Sequence, residues 1–227
     1  MLLHRIVVAA VAVAVTVTSC TRTSDGAPTA ELGAQQASTE QRSPLPTRPP
    51  PDDPVPGVVP TPASPAAGGT VCTPAALPPV RTVAQVDDPA APTATVAVPV
   101  GWSMSGGRGD VGAELAGPSD MRATVSITPT DADPETALRQ YADQLTADST
   151  ITTLSVLPGE RCGLSGQTLL GILSDGTETV QYRDRIVHVP AGERDYLIAV
   201  HVTAPDDTDG FDEPAAVLTG DFEIGLR

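Results

Sequence analysis

A long proline-rich stretch limits how much of this chain can fold. From Thr21 to about Pro79 the sequence consists mainly of Pro, Thr, Ser, Ala and Gly, and it has no hydrophobic periodicity. Such a segment cannot bury enough apolar surface to offset the conformational entropy that folding removes. We therefore predict that residues 20–79 form a disordered tether and that residues 80–227 form one globular domain.

The segment before the tether has the anatomy of a signal peptide. An apolar stretch from Ile6 to Val17 follows one arginine and ends in Thr18-Ser19-Cys20. This stretch is too short to span a bilayer, and small residues at its end are typical of a cleavage site. We predict that residues 1–19 are removed and that Cys20 carries acyl chains, which anchor the protein to the extracytoplasmic face of the cell membrane. The alternative is an ordinary secretory signal with a chance cysteine.

The chain is strongly acidic. It has 28 acidic residues against 13 basic ones, and its formal net charge is −15. Binding to nucleic acid depends on basic residues that meet phosphates, so we expect no nucleic-acid partner. The basic residues are all arginine, and lysine and asparagine are absent, which is typical of a GC-rich actinobacterial genome. We expect the exported domain to be a monomer.

The cysteines predict a disulfide. The chain has three cysteines, and Cys72 and Cys162 remain as a pair once Cys20 is committed to lipid. An oxidising compartment outside the membrane favours a bond between them. Closing so long a loop would stabilise the fold by roughly 4 kcal/mol. Two free buried thiols are the alternative.

The first part of the domain has strand and turn signals. Thr95 to Val100 alternates, which places Val96, Val98 and Val100 on one face of a strand. The glycine-rich run 105–110 follows as a hairpin loop. Two further strands are predicted in the ranges 111–115 and 123–127, separated by the Gly117-Pro118 break.

One clear helix interrupts the strands. Asp133 and Pro134 are a typical helix start, and apolar residues then recur at helical spacing. The stripe consists of Leu138, Tyr141, Ala142 and Leu145. Four strands follow at 152–157, 167–173, 178–189 and 196–203, and a short second helix starts near Asp212. The pattern predicts an α+β fold in which a twisted antiparallel sheet of about six or seven strands carries two helices.

The register of the last hairpin separates its two faces. If Val189 pairs with Tyr196, one face is apolar and belongs to the core. The other face then carries Tyr182, Asp184, His188 and His201, which we expect to be partly solvated.

Three short runs point to a family. They are Pro99-Val100-Gly101-Trp102, Arg185-Ile186-Val187 and Tyr196-Leu197. Together with the order of elements, they resemble the actinobacterial LpqN/LpqT lipoprotein family over residues 93–227. The resemblance implies a PsbP-like α/β sandwich and a protein that binds envelope partners without catalysing a reaction. The cysteine pair and the long tether depart from the family pattern.

Candidate catalytic groups are few. After removal of the signal peptide only His188 and His201 remain, and an opposed His201 and Asp184 form a candidate orienting pair. The run 163–167 imitates the nucleophile motif G-x-S-x-G but ends in Gln167 and lies between strands. Two histidines with distant carboxylates are too few for a zinc site. We predict no enzyme activity, no metal and no cofactor.

Other motifs have simpler interpretations. The run 107–112 matches G-x-G-x-x-G, but a strand and not a helix follows it. Arg108-Gly109-Asp110 is the tripeptide that integrins recognise, and we interpret it as a chance match at a hairpin tip. The acidic run 206–213 lacks the ligand spacing of a calcium loop. Trp102 is interpreted as a core anchor near the domain edge, with a ligand-stacking wall as the alternative.

The sequence thus predicts a membrane-anchored cell-envelope lipoprotein that acts as a non-enzymatic binding or scaffolding module for an envelope protein or lipid. One alternative is a carrier that holds an envelope lipid in an apolar cavity. An envelope hydrolase is the other alternative, which needs a nucleophile beside a base.

Overall fold

The computed structural model describes residues 54–61, 69–75 and 79–227. The predicted signal peptide, Cys20 and most of the predicted tether lie outside these residues. The described part contains eleven strands and two helices. The strands are β1 Gly69–Cys72, β2 Arg81–Ala84, β3 Thr93–Ala97, β4 Ser103–Gly106, β5 Val111–Ala116, β6 Arg122–Thr130, β7 Ile151–Pro158, β8 Gly166–Ser174, β9 Thr179–Ala191, β10 Arg194–Pro205 and β11 Glu223–Leu226; the helices are α1 Pro134–Thr146 and α2 Asp212–Leu218.

The strands form two antiparallel sheets. A seven-stranded sheet has the order β4-β5-β6-β10-β9-β8-β7, and a four-stranded sheet has the order β1-β11-β3-β2. The predicted α+β class, with an antiparallel sheet and two helices, is confirmed. The smaller sheet was not predicted, because β1, β2 and β11 have only four residues each and carry little periodic signal.

The main core lies between the two sheets. Its buried side chains come from both sheets and from α2, and they include Val96, Val125, Ile198 and Ile224. The predicted hairpin register is confirmed, because Tyr196 pairs with Val189. The expectation for Val100 was wrong: β3 ends at Ala97, and the side chain of Val100 is fully exposed.

Helix α1 covers the opposite face of the large sheet. The Asp133 carboxylate accepts a hydrogen bond of 3.1 Å from the Thr136 backbone N–H, and Pro134 follows as the first helical residue. Leu138 is fully buried against Leu169, Tyr182 and Ile186 of the sheet, and the other residues of the predicted stripe pack around them. No helix in the described ranges is long and apolar enough to cross a membrane.

The folded part begins earlier than residue 80, where the sequence prediction placed its start. Strand β1 pairs with β11 in the smaller sheet. Upstream of it, the segment 54–61 lies against the large sheet, where the Gly57 carbonyl accepts a 2.9 Å hydrogen bond from the Gly166 N–H. Proline-rich composition concealed both elements, because neither needs regular hydrophobic alternation to dock on a sheet that already exists.

Candidate binding site

An open polar groove lies beside α1 on the large sheet. The helix contacts β8 and β9 and packs against Ala199 of β10, and open space lies beyond it on the same face of β6 and β5. The ladder registers place Glu114 opposite Thr124, and Thr124 opposite His201. We call this surface the α1-side groove; its floor is formed by Ser105, Glu114, Arg122, Thr124, Ser126 and His201.

Two cavities lie along this groove. The larger, of about 510 Å³, is lined by side chains that include Ser105, Glu114, Arg122 and Thr124. The smaller, of about 350 Å³, lies between α1 and the sheet, and Ser126 and Tyr141 are among its lining residues. Hydroxyl, carboxylate and guanidinium groups thus face the open space along three strands.

Asp184 is the buried charged centre beside the groove. Its side chain is completely inaccessible to solvent. One carboxylate oxygen accepts a 2.8 Å hydrogen bond from the Tyr141 hydroxyl of α1, and the other lies 2.6 Å from Nδ1 of His201 on β10. Alternation along β9 turns Asp184 toward α1, while its neighbours Arg183 and Arg185 point to the opposite face.

The charge of Asp184 affects its neighbours. Burial, and then the adjacent Asp184 carboxylate, raise the pKa of Tyr141 well above its ordinary value. The same two causes, in the same order, raise the pKa of Tyr182 to about 12. Both tyrosines therefore remain protonated at neutral pH, and the Tyr141 hydroxyl can serve only as a donor to the carboxylate.

His201 connects this buried centre to the groove. An ionised carboxylate only accepts hydrogen bonds, so Nδ1 of His201 carries the proton that faces Asp184. The side chain of His201 is 29% exposed, whereas that of Asp184 is 0% exposed. The arrangement fixes the orientation of the imidazole ring and leaves Nε2 as the nitrogen that Asp184 does not engage. Such a ring can donate to or accept from a polar ligand, or act as a base.

The sequence prediction for this face was partly wrong. The pairing of His201 with Asp184 is confirmed. However, Tyr182, Asp184 and His188 are buried, although the prediction left them partly solvated. The reason is that α1 and the loop before it cover them. Tyr141 was assigned only to the apolar stripe; its hydroxyl, which needs a partner when buried, was the signal of a polar site below the helix.

The remaining candidate residues have structural contacts. His188 lies outside the groove, and its Nε2 is 3.2 Å from the Ala132 carbonyl just before α1. Ser165, at the centre of the imitation nucleophile motif, bonds both the N–H and the carbonyl of Val59. Trp102 packs against the main core, as predicted, and a Cβ on Gly117 would overlap its ring.

The two predicted disulfide partners are bonded. Cys72 at the end of β1 and Cys162 form a disulfide, with their Cα atoms 5.6 Å apart. The bond attaches the smaller sheet to the loop between β7 and β8. Beside it, the Arg161 guanidinium forms a 2.8 Å ion pair with Asp221.

The other predicted motifs stay apart from the groove's charged centre. Arg108-Gly109-Asp110 is exposed in the turn between β4 and β5, where Gly109 has a φ of 61°. The acidic run 206–213 leads into α2. Within the described ranges, no three His, Cys, Asp or Glu side chains converge as a metal site would require.

Comparisons with known proteins bear on the fold. No protein-family model and no curated protein matches this sequence. Among solved structures, the chain is similar to LpqN, described as involved in cell envelope biogenesis of Mycobacterium tuberculosis. The two are 20% identical with a TM-score of 0.51, and the match covers 64% of this chain and 91% of LpqN. The predicted resemblance is therefore confirmed at the level of the fold.

Proposed function

We propose that this chain is a lipid-anchored binding module on the extracytoplasmic side of the cell envelope, and that the α1-side groove is its binding surface. The predicted signal peptide and Cys20 supply the anchor, and the tether supplies reach. The fold shared with LpqN, a protein involved in envelope biogenesis, supports a role in the same compartment.

The buried Asp184 beside the groove carries this proposal. A buried charge costs several kcal/mol of desolvation, and well-packed apolar residues would stabilise the fold as well or better. Asp184 nevertheless lies at the interface between α1 and the sheet, bonded to His201 at the edge of an open surface. A carboxylate that is costly to bury, at the edge of an open surface, fits a role in ligand recognition. Asp184 would hold the His201 ring in one orientation before the ligand binds.

The lining of the groove favours a polar ligand. Ser, Thr and Arg side chains of the larger cavity offer donors, and Glu114 offers an acceptor. This chemistry suits a polar segment of an envelope protein or the head group of an envelope lipid. A carrier that encloses an acyl chain needs a mainly apolar cavity, whereas the walls of both cavities in this groove mix polar and apolar side chains.

A binding role fits the histidines better than catalysis does. A hydrolase needs a nucleophile within hydrogen-bond reach of its base. Within the described residues, no hydroxyl group hydrogen-bonds to His188 or His201. Thr124 lies opposite His201 across the strands, but among the described residues the His201 ring nitrogen that is hydrogen-bonded is engaged by Asp184 and not by the Thr124 hydroxyl.

Photocrosslinking in living cells tests the proposal. A photoreactive residue replaces Thr124 in the groove, and the matched control replaces Val100, which is fully exposed on a loop. We expect a discrete adduct at residue 124 that the control does not give. Equal adduct patterns at both positions would contradict a binding groove. If the captured species is converted to a second product over time, and this conversion is lost in His201→Ala, the result would favour the hydrolase.

A further inference from the structure

The large sheet ends in a long strand edge that carries no charge. Strand β7, Ile151–Pro158, has the sequence ITTLSVLP and pairs on one side only, with β8, among the described residues. The strand at the opposite edge, β4, has only four residues. Proteins normally protect long edges with charges, bulges or covering loops, because an open edge is a template for another strand.

Apolar side chains are exposed along this edge. Ile151 is 67% exposed, Leu157 is 48% exposed and Leu154 is 40% exposed. The ladder between β7 and β8 runs without a bulge through eight residue pairs, so the edge is regular over its length. A regular, uncharged and apolar edge in a chain of net charge −15 points to a strand partner.

The ladder shows which backbone groups are free. The Gly159 N–H donates to the Gly166 carbonyl, and this pair continues the β7–β8 register. In an antiparallel ladder every second residue bonds to the neighbouring strand. Thr152, Leu154 and Val156 therefore direct their N–H and C=O groups away from β8, and Pro158, which has no N–H, ends the free edge.

The strand is complementary to itself. In an antiparallel pair of two copies, a two-fold axis at Leu154 places Leu154 opposite its own counterpart. The same register sets Ile151 opposite Leu157 of the second copy, and Thr152 opposite Val156. Each apolar side chain then meets an apolar or β-branched one on its own face of the sheet, and the free N–H and C=O groups bond across the axis.

We infer that β7 pairs with β7 of a second copy, which joins the two large sheets into one continuous sheet. The contact is small, and both copies are acidic, so the pairing is weak in dilute solution. Added salt screens the repulsion between the copies and strengthens it. Confinement to a membrane raises the effective concentration and favours it further. This proposal differs from the sequence-based expectation of a monomer, and the experiments below distinguish the two.

A cysteine at the symmetry axis tests the pairing in the intact protein. Residues that exchange hydrogen bonds in an antiparallel pair have Cα atoms about 5.5 Å apart, within the range that a disulfide bridges. We expect Leu154→Cys to form a disulfide-linked homodimer in cells, about tenfold more than Ser103→Cys, an exposed position on the opposite edge strand β4. Equal yields for the two variants would overturn the proposal. A link from residue 154 to a different protein would also overturn it, in favour of a foreign strand.

A charge swap separates loss of pairing from loss of folding. Leu154→Lys places two lysines opposite each other in the homodimer, and Leu154→Asp places two carboxylates there. Neither variant alone should co-purify with a differently tagged copy of itself. Co-expression of the two variants should restore co-purification, because Lys then faces Asp. If the mixed pair associates no better than each variant alone, while both variants melt as the parent does, the inference fails.

Discussion

Removal of the Cys72–Cys162 disulfide gives a stability change that can be worked out from the chain. The two residues are separated by 90 positions. In the loop-entropy model, the cross-link lowers the entropy of the unfolded chain by about 2.1 + 1.5R ln n cal/mol/K, where n is the number of residues in the loop. For n of about 90, multiplying by the temperature at 25 °C gives about 4.6 kcal/mol of stabilisation. This is a large part of the roughly 5–15 kcal/mol that stabilises a typical domain. We therefore expect the oxidised protein to depend strongly on this bond.

The assay is urea unfolding of the parent protein and of Cys72→Ala/Cys162→Ala. With a urea slope of about 2 kcal/mol per molar, the midpoint should fall by about 2 M. Either single variant should lose nearly as much as the double variant, because either one removes the whole cross-link. A reductant should lower the stability of the parent and leave that of the double variant unchanged. A double variant within about 1 kcal/mol of the parent would show that the cross-link does not stabilise the fold through loop entropy.

Other changes have equally definite expected results. His201→Ala leaves Asp184 buried with one hydrogen bond fewer and should cost about 3–5 kcal/mol by thermal or urea unfolding. Replacing both residues by leucine should cost less, about 1–3 kcal/mol, because it removes the buried charge and leaves only the Tyr141 hydroxyl without its partner. A single variant as stable as the parent would contradict the buried pair. Gly57→Ala should release the segment 54–61 to proteolysis, because Gly57 has a φ of 75° and a Cβ there would overlap the Gly166 carbonyl oxygen; unchanged cleavage would show that the segment is not docked. The folded-state pKa of Tyr182 is about 12, above its ordinary value of 10.0. The free energy of unfolding should therefore fall as pH rises from about 10 to 12, because the protonated tyrosine's contribution to stability is lost in that range. Ultraviolet titration that finds every tyrosine ionising near pH 10 would contradict its burial.

The sequence was sufficient for features with a local cause. The start of α1 was predicted because Asp133 and Pro134 act within one helical turn. The hairpin of β9 and β10 was predicted from an assumed pairing of Val189 with Tyr196, and this register is the one observed; a slip of one residue would have exchanged its two faces. Both signals are contained in a few neighbouring residues.

Features that depend on distant contacts were missed. Strands β1 and β11 are short, and their pairing partners are distant in the chain: β1 pairs with β11, and β11 also pairs with β3. Segment 54–61 was assigned to the tether, since its docking depends on Ser165 and Gln167 more than a hundred positions away. Asp184 was placed on a solvated face for the same reason: Tyr141, which covers it, lies on a helix 43 residues earlier in the chain.

The central claim is that a lipid-anchored domain meets its partner through the α1-side groove, and one measurement tests both halves of it. The measurement is the mass of the species captured in cells by a photoreactive residue at position 124, in the parent chain and in a Cys20→Ala background. We expect one defined adduct in the parent and a large loss of that adduct without the anchor, because tethering raises the effective concentration at the membrane. An adduct of equal yield in both backgrounds, or none in either, would rule out a tethered domain that binds through the groove.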